Sequence, residues 1–218
     1  MIIKLVFILI LNFLIKYLKW FYFFGILLTL ISCVQSNKTS NDLFSENSVY
    51  IIYRTTNSKF GIISSDYNVT DESFTHVGLL LMTKGNSLVY HVMPDYNDSS
   101  GHLRIDKFEE FIDEKSQNLT EFRIFKLDDF DVGRVRLVLQ NMVASDIRFD
   151  KKFDLNDDKF YCSEFVCHVL GNANDQFACK VYKKDNLIAI DRAFLNRDTL
   201  FYYPVDGLLI NKDLNLKR

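Results

Sequence analysis

Polar and apolar positions divide the chain into an apolar leader and a domain of short strands with few helices. Val49-Tyr50-Ile51-Ile52-Tyr53-Arg54 is β-rich and predicts the first strand. Residues 55–71 are polar apart from Gly61 and two apolar pairs, and predict a loop or a short helix. The runs 74–82 and 87–93 are β-like, and Thr83-Lys84-Gly85-Asn86 between them suits a hairpin turn. An Asp/Asn/Ser loop follows over 94–101. Leu103-Arg104-Ile105 predicts a short strand, and Asp106-Lys107-Phe108-Glu109 a capped start to a helix with Phe108, Phe111 and Ile112 on one face. Over 120–127 an alternation of Phe122, Ile124 and either Phe125 or Lys126 predicts another strand. Val132, Val135, Leu139, Met142 and Val143 recur at three- and four-residue steps, the stripe of a helix over 131–147. A further helix is expected at about 160–170, broken at Gly171-Asn172, with β or extended pieces over 180–190 and 199–205. Helices scattered among strands without βαβ alternation imply an α+β fold with a mainly antiparallel sheet.

The leader changes the picture of where this domain sits. Residues 1–32 are almost wholly apolar, and the twelve from Trp20 to Ile31 follow Lys16 and Lys19, as a signal-peptide hydrophobic region does. Leu30-Ile31-Ser32-Cys33 resembles a bacterial lipobox, in which Cys33 would be lipidated and become the mature N-terminus. An uncleaved anchor through residues 2–31 is the alternative. Either places the rest of the chain at a membrane surface of a bacterial envelope: a tether over 33–47, a domain over 48–210 and a tail over 211–218. The leader holds three lysines and no acids, which leaves 23 basic and 28 acidic residues and a net charge of −5 for the remainder. With no basic block, a nucleic-acid partner is disfavoured. No His-Glu-x-x-His and no paired Cys-x-x-Cys occurs, so neither a metal nor another cofactor is implied.

The chemistry concentrates in Phe74-Thr75-His76-Val77-Gly78-Leu79 and Phe160-Tyr161-Cys162-Ser163-Glu164-Phe165. Cys162, Phe165, Val166 and Val169 fall at i, i+3, i+4 and i+7, which puts Cys162 on the apolar stripe at a helix's first turn. Free amides and the helix dipole there favour a thiolate and offer donors to an oxyanion, that of Cys162 itself above all. A hairpin centred on Lys84-Gly85 sets His76 opposite Met93, with His91 its diagonal neighbour on one face. His91 is then placed to hold one ring nitrogen of His76 and leave the other for a thiol, a nucleophile–base–orienter set. Glu164 and His168, i and i+4 on another side of the helix, are expected to form a surface pair. If Cys33 is lipidated, three cysteines remain. Cys167 and Cys179 are expected either to bridge or to stay buried as inert thiols, while Cys162 stays free.

Thr75-His76-Val77-Gly78, followed far downstream by Tyr161-Cys162-Ser163-Glu164-Phe165-Val166, resembles the YiiX/YebB-like family, circularly permuted NlpC-type papain-like cysteine hydrolases related to lecithin:retinol acyltransferase-like enzymes. In that branch the histidine strand precedes the cysteine helix, as here. The resemblance covers about 48–205, with 103–112 matching the segment after the hairpin and Phe149-Asp150 to Phe153 the approach to the cysteine. The opening Glu46-Asn47-Ser48 departs from the family's Asp- or Gly-rich pattern. It implies a permuted papain-like fold, an antiparallel sheet or open barrel packed against a nucleophile-bearing helix. It further implies Cys162 as nucleophile, His76 as general base and His91 as third polar residue, with Tyr161, Ser163 and Glu164 neighbouring the oxyanion site. The implied activity is hydrolysis of amide or ester bonds in cell-wall peptides or lipid-like acyl compounds. An acyltransferase of the same fold, or a non-catalytic surface lipoprotein that binds a partner, are the other expectations.

Overall fold

The computed structural model describes residues 44–70, 73–83, 85–95, 101–211 and 216–217. The leader, Cys33 and most of the tether lie outside the described residues.

β1 (Val49–Thr56), β2 (His76–Thr83), β3 (Asn86–Met93), β4 (His102–Lys107), β5 (Leu119–Leu127) and β8 (Leu216–Lys217) form one sheet in the order β4-β3-β2-β1-β5-β8. Its strand pairs are antiparallel, and it stays an open sheet, not a closed barrel. α1 (Lys59–Ser65) connects β1 to β2, and α2 (Phe108–Phe111) and α3 (Glu114–Gln117) connect β4 to β5. α4 (Val132–Ala144) and α5 (Cys162–Ala173) follow the sheet in sequence. β6 (Tyr182–Asp185) and β7 (Thr199–Tyr202) form a separate antiparallel pair around α6 (Ala189–Leu195), and a 3-10 turn (Val205–Leu208) precedes β8.

The period-2 geometry of strands makes two buried faces. Val49, Ile51, Tyr53, Val77, Leu79, Leu81, Phe125 and Leu127 pack with Val135, Leu139, Phe165, Val166 and Val169 of α4 and α5 in the main core. On the opposite face Tyr50, Ile52, Leu80, Met82 and Val89 pack with Phe44, Phe108 and Phe111. Because β1 is covered on both sides, it reads as a continuous apolar run instead of an alternating one. The same two-sided cover explains the ambiguous pattern of β5: Phe125 and Leu127 enter the main core, whereas Ile124 packs against the second cluster and Phe122 lies over Phe108.

Several expected elements move. Asp106 lies inside β4, and the start of α2 falls one residue later, where the Lys107 amide donates to the Glu110 carboxylate at 3.0 Å. α5 runs through Gly171-Asn172 to Ala173. Val143 stands outside the α4 stripe at 45% exposure. The apolar signal over 180–190 comes partly from surface residues: Ile188 and Ile190 are 63% and 72% exposed, and Ile190 belongs to α6, not to a strand.

Candidate active site

The β2–β3 hairpin has the register that its turn predicts, closing at Thr83↔Asn86, with Gly85 at φ +77° in the left-handed region. In an antiparallel ladder closed by two residues, alternate amides face the partner strand, here those of Thr83, Leu81, Leu79 and then Val77. The pairing stops at Leu79↔Tyr90, so β3 does not claim the Val77 amide. α5 covers this end of the sheet. Its first residue, Cys162, follows an extended Tyr161, and the Val77 amide works to lower the pKa of its thiol. The amides of Ser163 and of Cys162 itself act in the same direction. Burial nevertheless outweighs these donors and pushes the thiol pKa up, so the resting group is a neutral thiol instead of the thiolate expected from its place on the helix.

On the other side of Val77, His76 enters a buried chain of polar contacts. His76 Nε2 and His91 Nδ1 are 2.9 Å apart, and His91 Nε2 lies 2.9 Å from Asp106 Oδ2. Arg104 Nη2 donates to the other Asp106 oxygen at 3.1 Å. The three residues come from three adjacent strands: Asp106 pairs with Val89 and is therefore the same-face diagonal neighbour of His91. Both imidazoles pack on the Phe111 ring, at 5.8 and 5.0 Å between centroids. The buried Arg54, opposite His76 in the β1–β2 register, lies over that ring and donates to the Phe111 carbonyl at 2.9 Å. Gly78 leaves the space for His91: a Cβ at position 78 would stand 2.9 Å from Val89 Cγ1 and 3.1 Å from His91 Cβ.

Electrostatics keep both rings neutral. Burial, then Arg54, His91 and Arg104, hold His76 well below the usual imidazole range. Burial also lowers His91, to about 4, against the opposing pull of Asp106. Burial works to raise the Asp106 carboxyl, but His91 and Arg104 outweigh it, and the net shift is downward. Asp106 is thus a carboxylate at neutral pH.

The structure brings His76 and His91 together on the Phe111 face of the sheet. It places Cys162 on the opposite, main-core face beside Val77, so the expected approach of the imidazole to the thiol is not made. Among the described residues no hydrogen bond joins the thiol to the imidazole; the thiol's partners are backbone amides and Ser163. The side chains of the neighbouring residues fasten the fold around the thiol. The Tyr203 amide donates to the Tyr161 hydroxyl at 2.7 Å, and Ser163 Oγ donates to the Tyr203 carbonyl at 2.6 Å, fastening the C-terminal segment to α5. Glu164 is not in a surface pair with His168. It is buried at 6% exposure and accepts from the Tyr161 amide at 3.4 Å, while His168 packs on Phe160. Burial, then Asp150, Asp157 and Asp154, raise its carboxyl to about 8. The Cys167–Cys179 bridge is formed, and Cys162 is the free cysteine among the described residues.

Sequence reasoning missed Asp106, Arg104, Arg54 and Tyr53. For Asp106 a signal existed: Arg104 and Asp106 alternate with Leu103 and Ile105, the period of a strand with one polar face. Tyr53 left none, since its hydroxyl ends buried in the main core without a hydrogen-bond partner among the described residues.

No family model matches the sequence, and no curated protein does. Among solved structures, the chain is similar to the metalloprotein YiiX from Escherichia coli O157:H7 (DUF1105). The two are 14% identical, with 80% of this chain and 98% of that one covered and a TM-score of 0.58. The donor set here does not fit a metal. Among the described residues no group of three or more His, Cys, Asp and Glu side chains could hold an ion, and both ring nitrogens of His91 are already engaged. What the two proteins share is architecture: this chain has a YiiX-like fold.

Proposed function

We propose that the protein is a thiol hydrolase of amide or ester bonds, with Cys162 as nucleophile, His76 as general base and His91 as the group that orients it. One observation carries this: Cys162 is a free thiol at the first turn of α5, packed in the main core with Val77, the residue next to an imidazole held by a second imidazole. Cys162 stands on the main-core face of β2 with Val77, and His76 on the opposite face with Phe111. Attack therefore requires the start of β2 to turn and bring the His76 ring to the sulfur when substrate binds. The thiol proton passes to His76 as sulfur bonds to the acyl carbon, and the Cys162 amide donates to the carbonyl oxygen. The leaving amine or alcohol takes the proton from His76, and water then cleaves the acyl-enzyme by the same base.

The apolar leader and Cys33 support a site at a bacterial membrane surface, where cell-wall peptides and lipid-like acyl compounds are the accessible substrates. Incubating the full chain in detergent with acyl-peptides and acyl esters, with and without an amine acceptor, tests the activity. Release of free acid, lost in Cys162→Ala, is the expected result. Acyl transfer to the amine without free acid would identify an acyltransferase, and no turnover of either class would argue for a binding protein.

A further inference from the structure

We infer that Asp106 fixes the tautomers of both histidines, and so decides which ring atom His76 presents as a base; the catalytic consequence rests on the function proposed above. Asp106 is a positioning residue, joined to His76 through two successive contacts by way of His91. The chain of contacts leaves little freedom. Arg104 Nη2 holds Oδ1, so Oδ2 is the oxygen that faces His91 Nε2 at 2.9 Å. A carboxylate only accepts, so His91 carries its proton on Nε2. A neutral ring protonated there has its lone pair on Nδ1, which then accepts from His76 Nε2–H across 2.9 Å. The His76 proton is thereby committed to Nε2, and its lone pair is left on Nδ1.

His91 is fully buried and Asp106 nearly so, which denies water the chance to substitute for either contact. The charged groups facing the pair are Arg54 from β1 and Arg104 from β4. Both disfavour an imidazolium at rest, so the chain holds neutral rings whose tautomers matter.

Asp106→Asn reverses the order. Arg104 keeps the amide oxygen on its own side and turns the NH2 group towards His91 Nε2, which must then accept. His91 would donate from Nδ1 to His76 Nε2, and His76 would carry its proton on Nδ1, where it is no base. The test uses the full chain in detergent, labelled with 15N-histidine, of which there are four. In the wild type, the ring nitrogen shifts are expected to show Nε2–H on His76 and His91; Nδ1–H on either overturns the inference without any variant. In Asp106→Asn both are expected to switch to Nδ1–H, with alkylation of Cys162 by iodoacetamide slowed by about 100-fold or more at pH 7.5. Unchanged tautomers in the variant would overturn it equally. If instead His76→Ala alkylates at the wild-type rate, the thiol–imidazole function fails, while the tautomer readout still decides the role of Asp106.

Discussion

Gly78→Ala perturbs the site without touching an ionisable group. The added Cβ would lie 2.9 Å from Val89 Cγ1, 3.1 Å from His91 Cβ and 3.1 Å from the Tyr90 carbonyl oxygen. Comfortable contact between carbons is about 3.5–4.0 Å, so β3 must retreat by roughly 0.5 Å or more. Two of the three clashing atoms are backbone or Cβ, which no rotamer change relieves. Overpacking of this kind costs about 1–3 kcal/mol. For a domain of this size that lowers Tm by roughly 2–12 °C. The same retreat carries His91 away from His76. Their 2.9 Å contact then passes the ~3.2 Å at which such bonds weaken. Thermal unfolding followed by circular dichroism, paired with Cys162 alkylation kinetics, reads both effects. A variant with wild-type Tm and wild-type thiol kinetics would refute the claim that position 78 is glycine to seat His91.

Three further outcomes follow from particular residues. Glu164 has a folded pKa of about 8 against an ordinary 4.5, so the wild type loses stability as pH rises between those values. Glu164→Gln removes that loss while keeping an acceptor for the Tyr161 amide. Urea titrations should show the variant gaining on the wild type by about 2 kcal/mol from pH 5 to 8, a figure halved for partial solvent access; a pH-independent difference would be contrary. Tyr53→Phe deletes a buried hydroxyl that has no hydrogen-bond partner among the described residues, and denaturation should find it as stable as the wild type or up to about 2 kcal/mol more stable. A loss of more than 1 kcal/mol would mean that the hydroxyl is bonded after all. Cys179→Ser opens the bridge to Cys167, 12 residues away in sequence. It should cost about 3 kcal/mol of chain entropy in chemical denaturation, and no change under oxidising conditions would contradict the bridge.

The sequence carried the hairpin and the helix most clearly because both are local. Two turn residues set the β2–β3 register, and with it the approach of His76 and His91. A four-position stripe set the buried face of α5 and the place of Cys162 at its start. What it did not carry depends on contacts between distant segments. Asp106 looked like a helix cap because Glu109 follows three residues later, yet pairing with β3 extends β4 through it and turns its carboxylate to His91. Glu164 looked exposed by helical phase alone. It is buried because Tyr161, one turn back, and the acidic loop holding Asp150, Asp154 and Asp157 close over the start of α5. The thiolate expected at a helix N-terminus yields to burial, a quantity that no local pattern reports.

The proposed chemistry requires that Cys162 act as a nucleophile with His76 as its base. Intact-mass spectrometry of the full chain, mixed with an activated acyl ester at pH 7.5, measures this directly. The prediction is one acyl group per chain, mapped to Cys162, forming about 100-fold or more slowly in His76→Ala. Acylation absent from Cys162, or equally fast without His76, would contradict it.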